Sequence, residues 1–142
     1  MLELLREGAD RSVTFAALLA AIGRSNDIVY VEFGHCAFGH VDGCLLPFIA
    51  STAGSRYLRV LVTPDRNRRA GDQLLALIGH ELQHAREVSE HPEVVDAVTM
   101  EAMFHRIGSP LHHLRGYETS AARAAGDAVF LELLRASSAR RE

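Results

Sequence analysis

The chain has 142 residues, 48% of them hydrophobic and 23% charged, with a formal net charge of −3. That length suits one domain with a core of its own, residues 1–142, and the lack of a basic surplus argues against nucleic acid as a partner. Two cysteines, Cys36 and Cys44, are too few for the disulfide framework of a small secreted domain.

The first apolar run, VTFAALLAAI at 13–22, is shorter than the roughly 20 residues a membrane span needs. Glu3, Glu7 and Asp10 beside Arg6 and Arg11 do not suit a signal peptide, so the run reads as an uncleaved amphipathic helix. Ser12 or Thr14 caps it and Gly23 stops it. The compartment stays open, either cytoplasmic or exported with a leader not present in this chain. Residues 27–33, DIVYVEF, alternate with the period of a strand, and the glycines of 34–43 mark a loop. Within that loop Cys36 and Cys44 read as two small semi-buried thiols of a hairpin, with a disulfide as the alternative in an exported chain. A second zinc site with His35 and His40 does not fit the usual ligand spacing.

Residues 45–52 and 57–62 read as two further strands around the turn Ala53-Gly54-Ser55, completing a three-stranded meander that Pro64 ends. Pro47 leaves the start of the first of them open. A helix follows from an N-cap at Asp72, with Leu74, Leu75, Ile78, Leu82 and Ala85 on one side. A second helix is expected from Pro92 to Ile107, then a loop at Ser109-Pro110, then a last helix over 118–135. The fold class is therefore α+β, a small mostly antiparallel sheet packed against helices.

The chemistry lies in LIGHELQHAREV, where His80-Glu81-Leu82-Gln83-His84 forms H-E-x-x-H. Residues four apart share a helix face, so His80 and His84 can present their rings to one ion. Glu81, one residue round, is placed to take a proton from a water as it attacks a carbonyl. Random placement of this composition would yield the pattern roughly 0.03 times per chain, which favours a metal site over two solvated helix histidines.

A catalytic zinc site needs a third protein ligand and one open position. A third histidine six residues after His84 is not available, because Glu90 stands there. Glu118, at the start of the last helix in YETSAA, is the preferred donor, and the bland alternative is an ordinary first-turn acid. His105, His112 and His113 compete for the role. Tyr117, His112 and His113 are candidates for binding substrate or stabilising an oxyanion.

On these residues, LIGHELQHAREV and the later YETSAARAAGDAV, the chain resembles the gluzincin branch of zinc metallopeptidases, and more closely small bacterial members of it. The resemblance implies Zn2+ held by His80, His84 and Glu118, with Glu81 as general base. It also implies a zincin-like domain whose sheet edge aligns a peptide or protein substrate. Many gluzincins carry an acid four residues after the glutamate ligand; here that residue is Ala122, so the partner that orients a ligand histidine is unassigned.

Two functions follow: a zinc-dependent peptidase, or a zincin-fold module that keeps the ion and binds proteins without cutting them. A closed four-ligand structural site, completed by His112 or His113, is a third. The strand at 57–62 is the expected substrate-pairing edge. Arg66, Arg68 and Arg69 form a basic loop, most simply a solvated one.

Overall fold

The computed structural model describes residues 1–37, 41–64, 71–111 and 116–139. Five helices and six short strands follow in the order α1 (Leu2–Arg11), α2 (Val13–Gly23), β1 (Ile28–Phe33), β2 (Gly43–Leu45), β3 (Ala50–Thr52), β4 (Ser55–Val62), α3 (Gly71–Ser89), α4 (Ala97–Ile107), β5 (Ser109–Pro110), β6 (Tyr117–Glu118) and α5 (Ser120–Ala139). No helix among the described residues is long and apolar enough to cross a membrane. The fold is α+β, as its sequence periodicities require.

The sheet is mixed, which corrects the expected meander. β1 runs parallel to β4, from Ile28↔Tyr57 to Phe33↔Val62, while β2 and β3 pair antiparallel with β4 on its other side. Alternation in a sequence fixes which face of a strand is apolar but not which neighbour it takes, so β1 was legible as a strand and its partner was not. Pro47 has no N–H to donate, and the stretch 45–52 accordingly breaks into β2 and β3. The strand at 57–62 lies within β4, which is central in the sheet and offers no free edge for a peptide. The edge beside the motif helix is β2.

Between β1 and β2 the chain crosses the exit of β4. Gly34 N–H donates to Val62 O at 3.0 Å, and Thr63 N–H donates to Asp42 O at 2.7 Å. Cys36 and Cys44 are joined by a disulfide across this crossing, which corrects the expectation of two thiols. Sequence spacing carries no information on whether two cysteines meet; the crossing brings their Cα atoms to 6.1 Å.

Leu58, Val60 and Val62, alternate residues of β4, are fully buried and face the helices. Against them pack Leu75, Ile78 and Leu82 of α3, the stripe predicted from their spacing. Each such side chain contributes roughly 1.5–3 kcal/mol by leaving water. On the other side of α3 lies α5, with Val129 and Leu133 wholly buried. A Cβ at Gly79 would stand 2.9 Å from Val129 Cγ2, so glycine there is what lets the two helices approach.

Two charged clamps hold the frame. Arg11, at the end of the unforeseen helix α1, donates to Asp72 Oδ1 and Ser137 Oγ, both at 2.7 Å, tying α1 to α3 and α5. Asp72 thus sits inside the first turn of α3 rather than capping it. Arg56 pairs with Asp27 and donates to the carbonyls of Val88, His91 and Val94, at and just beyond the C-terminal end of α3. α4 begins at Ala97 and not at Pro92, because Asp96 and Thr99 form a reciprocal capping box there.

Candidate metal centre

His80 and His84 lie one turn apart on α3, their ring centroids 5.0 Å from each other and nearly perpendicular. Glu118 reaches them from β6. Its Oε2 lies 3.4 Å from His80 Nε2 and its Oε1 lies 3.6 Å from His84 Nε2. Taking one ligand atom from each residue, the three atoms all lie within 4.8 Å of one another. His80, His84 and Glu118 therefore form a group that can hold a metal ion, with one donor atom from each.

The sequence placed Glu118 in the first turn of the last helix; it lies instead on the two-residue strand just before that helix. β6 pairs with β5 in the register Ser109↔Glu118 and Pro110↔Tyr117. Gly108, at the end of α4, makes that pairing close: a Cβ there would stand 2.7 Å from Glu118 O. α5 then starts at Ser120, with the Thr119 hydroxyl accepting the Ala122 N–H as an N-cap does. The helix between motif and glutamate acts as the expected spacer, returning the chain beside α3.

Glu87 is the residue that sequence reasoning missed. Its Oε2 lies 2.9 Å from His84 Nδ1, and its Oε1 accepts the Thr119 hydroxyl at 2.7 Å. An ionised carboxylate only accepts, so Nδ1 carries the proton and Nε2 is left to face Glu118. The signal was present: Glu87 follows His84 by three residues, on the same helical face. The carboxylate that holds a ligand histidine therefore comes from α3 itself, and not from the position four residues after Glu118, where Ala122 stands.

Burial disfavours a charge on His84, yet Glu118 and Glu87, with Glu81 nearby, outweigh it and hold its pKa up at about 9. His80 moves the other way, its burial outweighing the attraction of Glu118. Desolvation likewise opposes the charge on Glu118, but the two imidazoles keep its carboxyl below the usual range.

Glu81 is 5% exposed, and that burial pushes its carboxyl up to about 7 despite His84 nearby and a hydrogen bond from the Leu45 backbone. Leu45 belongs to β2, which crosses directly over Glu81. A Cβ at Gly43 would stand 3.0 Å from Glu81 Oε1 and 2.9 Å from Leu77 Cδ1, so a side chain there would have to displace the ends of both.

The three donors and Glu81 line a cleft of about 920 Å³ between β2 and α4. Met100 and Phe104 of α4 supply apolar wall, and the described lining residues include carboxylates but no lysine or arginine. Such a lining suits a cation at its base. Tyr117 also lines the cleft, with the exposed ring of His105 edge-on to it at 6.1 Å. His112, His113, Arg66, Arg68 and Arg69 lie outside the described residues. Comparison of the chain with protein-family models, with curated proteins and with solved structures found no match.

Proposed function

We propose that the protein is a zinc-dependent, peptidase-like hydrolase acting on peptide bonds, with His80, His84 and Glu118 as ligands and Glu81 as general base. The observation that carries this reading is the placement of a buried carboxyl, with a pKa of about 7, beside the His–His–Glu group at the floor of an open cleft. When bound, the ion supplies a Lewis acid that polarises a carbonyl and acidifies water.

The chain's own groups account for the rest. Glu81, steered by the Leu45 N–H, takes a proton from the attacking water and hands it to the leaving amine. A carboxyl that titrates near neutral pH can do both. β2 pairs with β4 along one side only, so its other side can align an extended peptide through main-chain hydrogen bonds. Tyr117, at the cleft wall beside Glu118, is the described residue best placed to steady a developing oxyanion.

The first experiment is zinc content per chain by elemental analysis, for the parent and for Glu118→Ala. About one zinc in the parent and its loss in the variant are expected. No zinc in the parent, even after zinc is supplied, sinks the reading. Metal-dependent cleavage of a peptide library, abolished in Glu81→Gln with zinc retained, is the second expectation. Zinc without any cleavage would leave a protein-binding module that kept the ion.

A further inference from the structure

We infer that Thr119 and Glu87 are positioning residues of the metal centre: the hydroxyl–carboxylate bridge between them sets the two ligands of α3 and the one ligand of β6 in a common geometry. This rests on the metal reading above and adds to it the device that makes three donors from two separate elements act as one set.

A path of three hydrogen bonds carries the inference. His84 Nδ1–H is held by Glu87 Oε2 at 2.9 Å, and Glu87 Oε1 is held by Thr119 Oγ1 at 2.7 Å. The Thr119 N–H in turn donates to Glu118 Oε1 at 2.9 Å, and that same oxygen lies 3.6 Å from His84 Nε2. The path thus leaves one ligand, crosses from α3 to the start of α5, and ends on another ligand. Thr119 is 3% exposed and Glu87 6%, so their bond lies in buried, low-dielectric surroundings where it is strengthened.

The chemistry leaves little freedom in who does what. The Thr119 hydroxyl has one hydrogen, which only Glu87 can take, and its lone pairs serve the Ala122 N–H at 3.0 Å. Elsewhere α3 meets α5 through the Ser137 hydroxyl, which donates to Asp72 Oδ2 at 3.3 Å at the far end of the helix pair, and otherwise through apolar and backbone surfaces, such as Gly79 on Val129 and Gly126 on the stem of His80. Contacts of that kind fix how close two helices lie but are weakly directional along their axes. At the end of the helix pair that carries the histidines, the bridge supplies the direction, and with it the placement of Glu118 against them.

The test uses Thr119→Val, which keeps shape and loses the hydroxyl, Thr119→Ser, which keeps the hydroxyl, and Glu87→Gln, which leaves the cap of α5 intact. Zinc affinity is measured by competition with a chromophoric chelator, and ligand geometry by the visible absorption of the Co2+-loaded protein. Thr119→Val and Glu87→Gln are each expected to weaken zinc binding by about 10–100-fold and to shift the Co2+ bands. Thr119→Ser restores binding to within about threefold of the parent, and the Thr119→Val, Glu87→Gln double variant loses little more than either single one, since each interrupts the same path, the first between Thr119 and Glu87 and the second between Glu87 and His84.

A role confined to capping α5 would move unfolding of the metal-free protein in Thr119→Val and leave Glu87→Gln at parental zinc affinity. That outcome, or fully additive losses, overturns the inference while the metal reading stands. A parent that binds neither zinc nor Co2+ overturns both.

Discussion

On the helical side of the cleft, α3 is backed by α5 through Gly79 and Gly126, and the His–His–Glu group is tied by buried hydrogen bonds through Glu87 and Thr119. On the opposite wall, β2 is a three-residue edge strand, paired on one side to β4 and anchored beyond that by the Cys36–Cys44 disulfide. The helical wall is fixed by packing on many residues, and the strand wall by a covalent link and a handful of main-chain bonds. A site built this way holds the His–His–Glu group firmly, while β2, the surface that would meet a substrate, is held by fewer contacts.

The largest expected effect comes from breaking the helical wall. Gly79→Leu forces a side chain against Val129, where a Cβ alone would stand at 2.9 Å, and should destabilise the protein by about 3 kcal/mol after its gain in helix propensity. α5 must back away, so zinc affinity should fall together with the denaturant midpoint. A stable variant with parental zinc binding would show that the close approach does not position Glu118.

Breaking the strand wall should cost less and leave the metal alone. Replacing both Cys36 and Cys44 by serine removes a short covalent loop, worth about 2.5 kcal/mol by chain entropy. Unfolding in urea should report that loss, with zinc per chain unchanged. Loss of zinc in this variant would mean that the two walls are one unit.

The smallest effect sharpens the electrostatics of the helical wall. His84 has a folded pKa of about 9, above its ordinary value, so the stability it contributes is fully present below about pH 6.5 and is lost as pH rises through 9. Glu81, raised to about 7 by burial, has met its own ionisation penalty before that window closes. The metal-free protein should therefore become less stable from pH 7 to 9. Over the same range zinc, which displaces the His84 proton, should gain affinity by up to about tenfold per pH unit. A flat affinity between pH 7 and 9 in a chelator titration would count against a charged His84 in the metal-free protein.

Much of the helical wall was legible in the residues themselves. H-E-x-x-H fixes its own geometry, because a helix places residues four apart on one face whatever surrounds it, and Leu75, Ile78 and Leu82 declared the buried side. Glu118 was found by type and by its place after a spacer helix, though it sits on β6 rather than in α5. Glu87 stands three residues after His84 on the same helical face, a spacing that the sequence shows but that does not by itself distinguish an orienting carboxylate from a solvated one.

The strand wall was decided by tertiary structure. The sequence by itself determined the helical periods, the strand alternation, the caps at Ser12 and the break at Pro47, since each follows from forces between residues a few positions apart. Only the folded chain decided that β1 pairs parallel with β4, that β2 becomes the edge over Glu81, and that Cys36 meets Cys44. Those outcomes depend on where distant segments come to rest when the apolar faces of the sheet and helices are buried together, and local pattern does not carry that information.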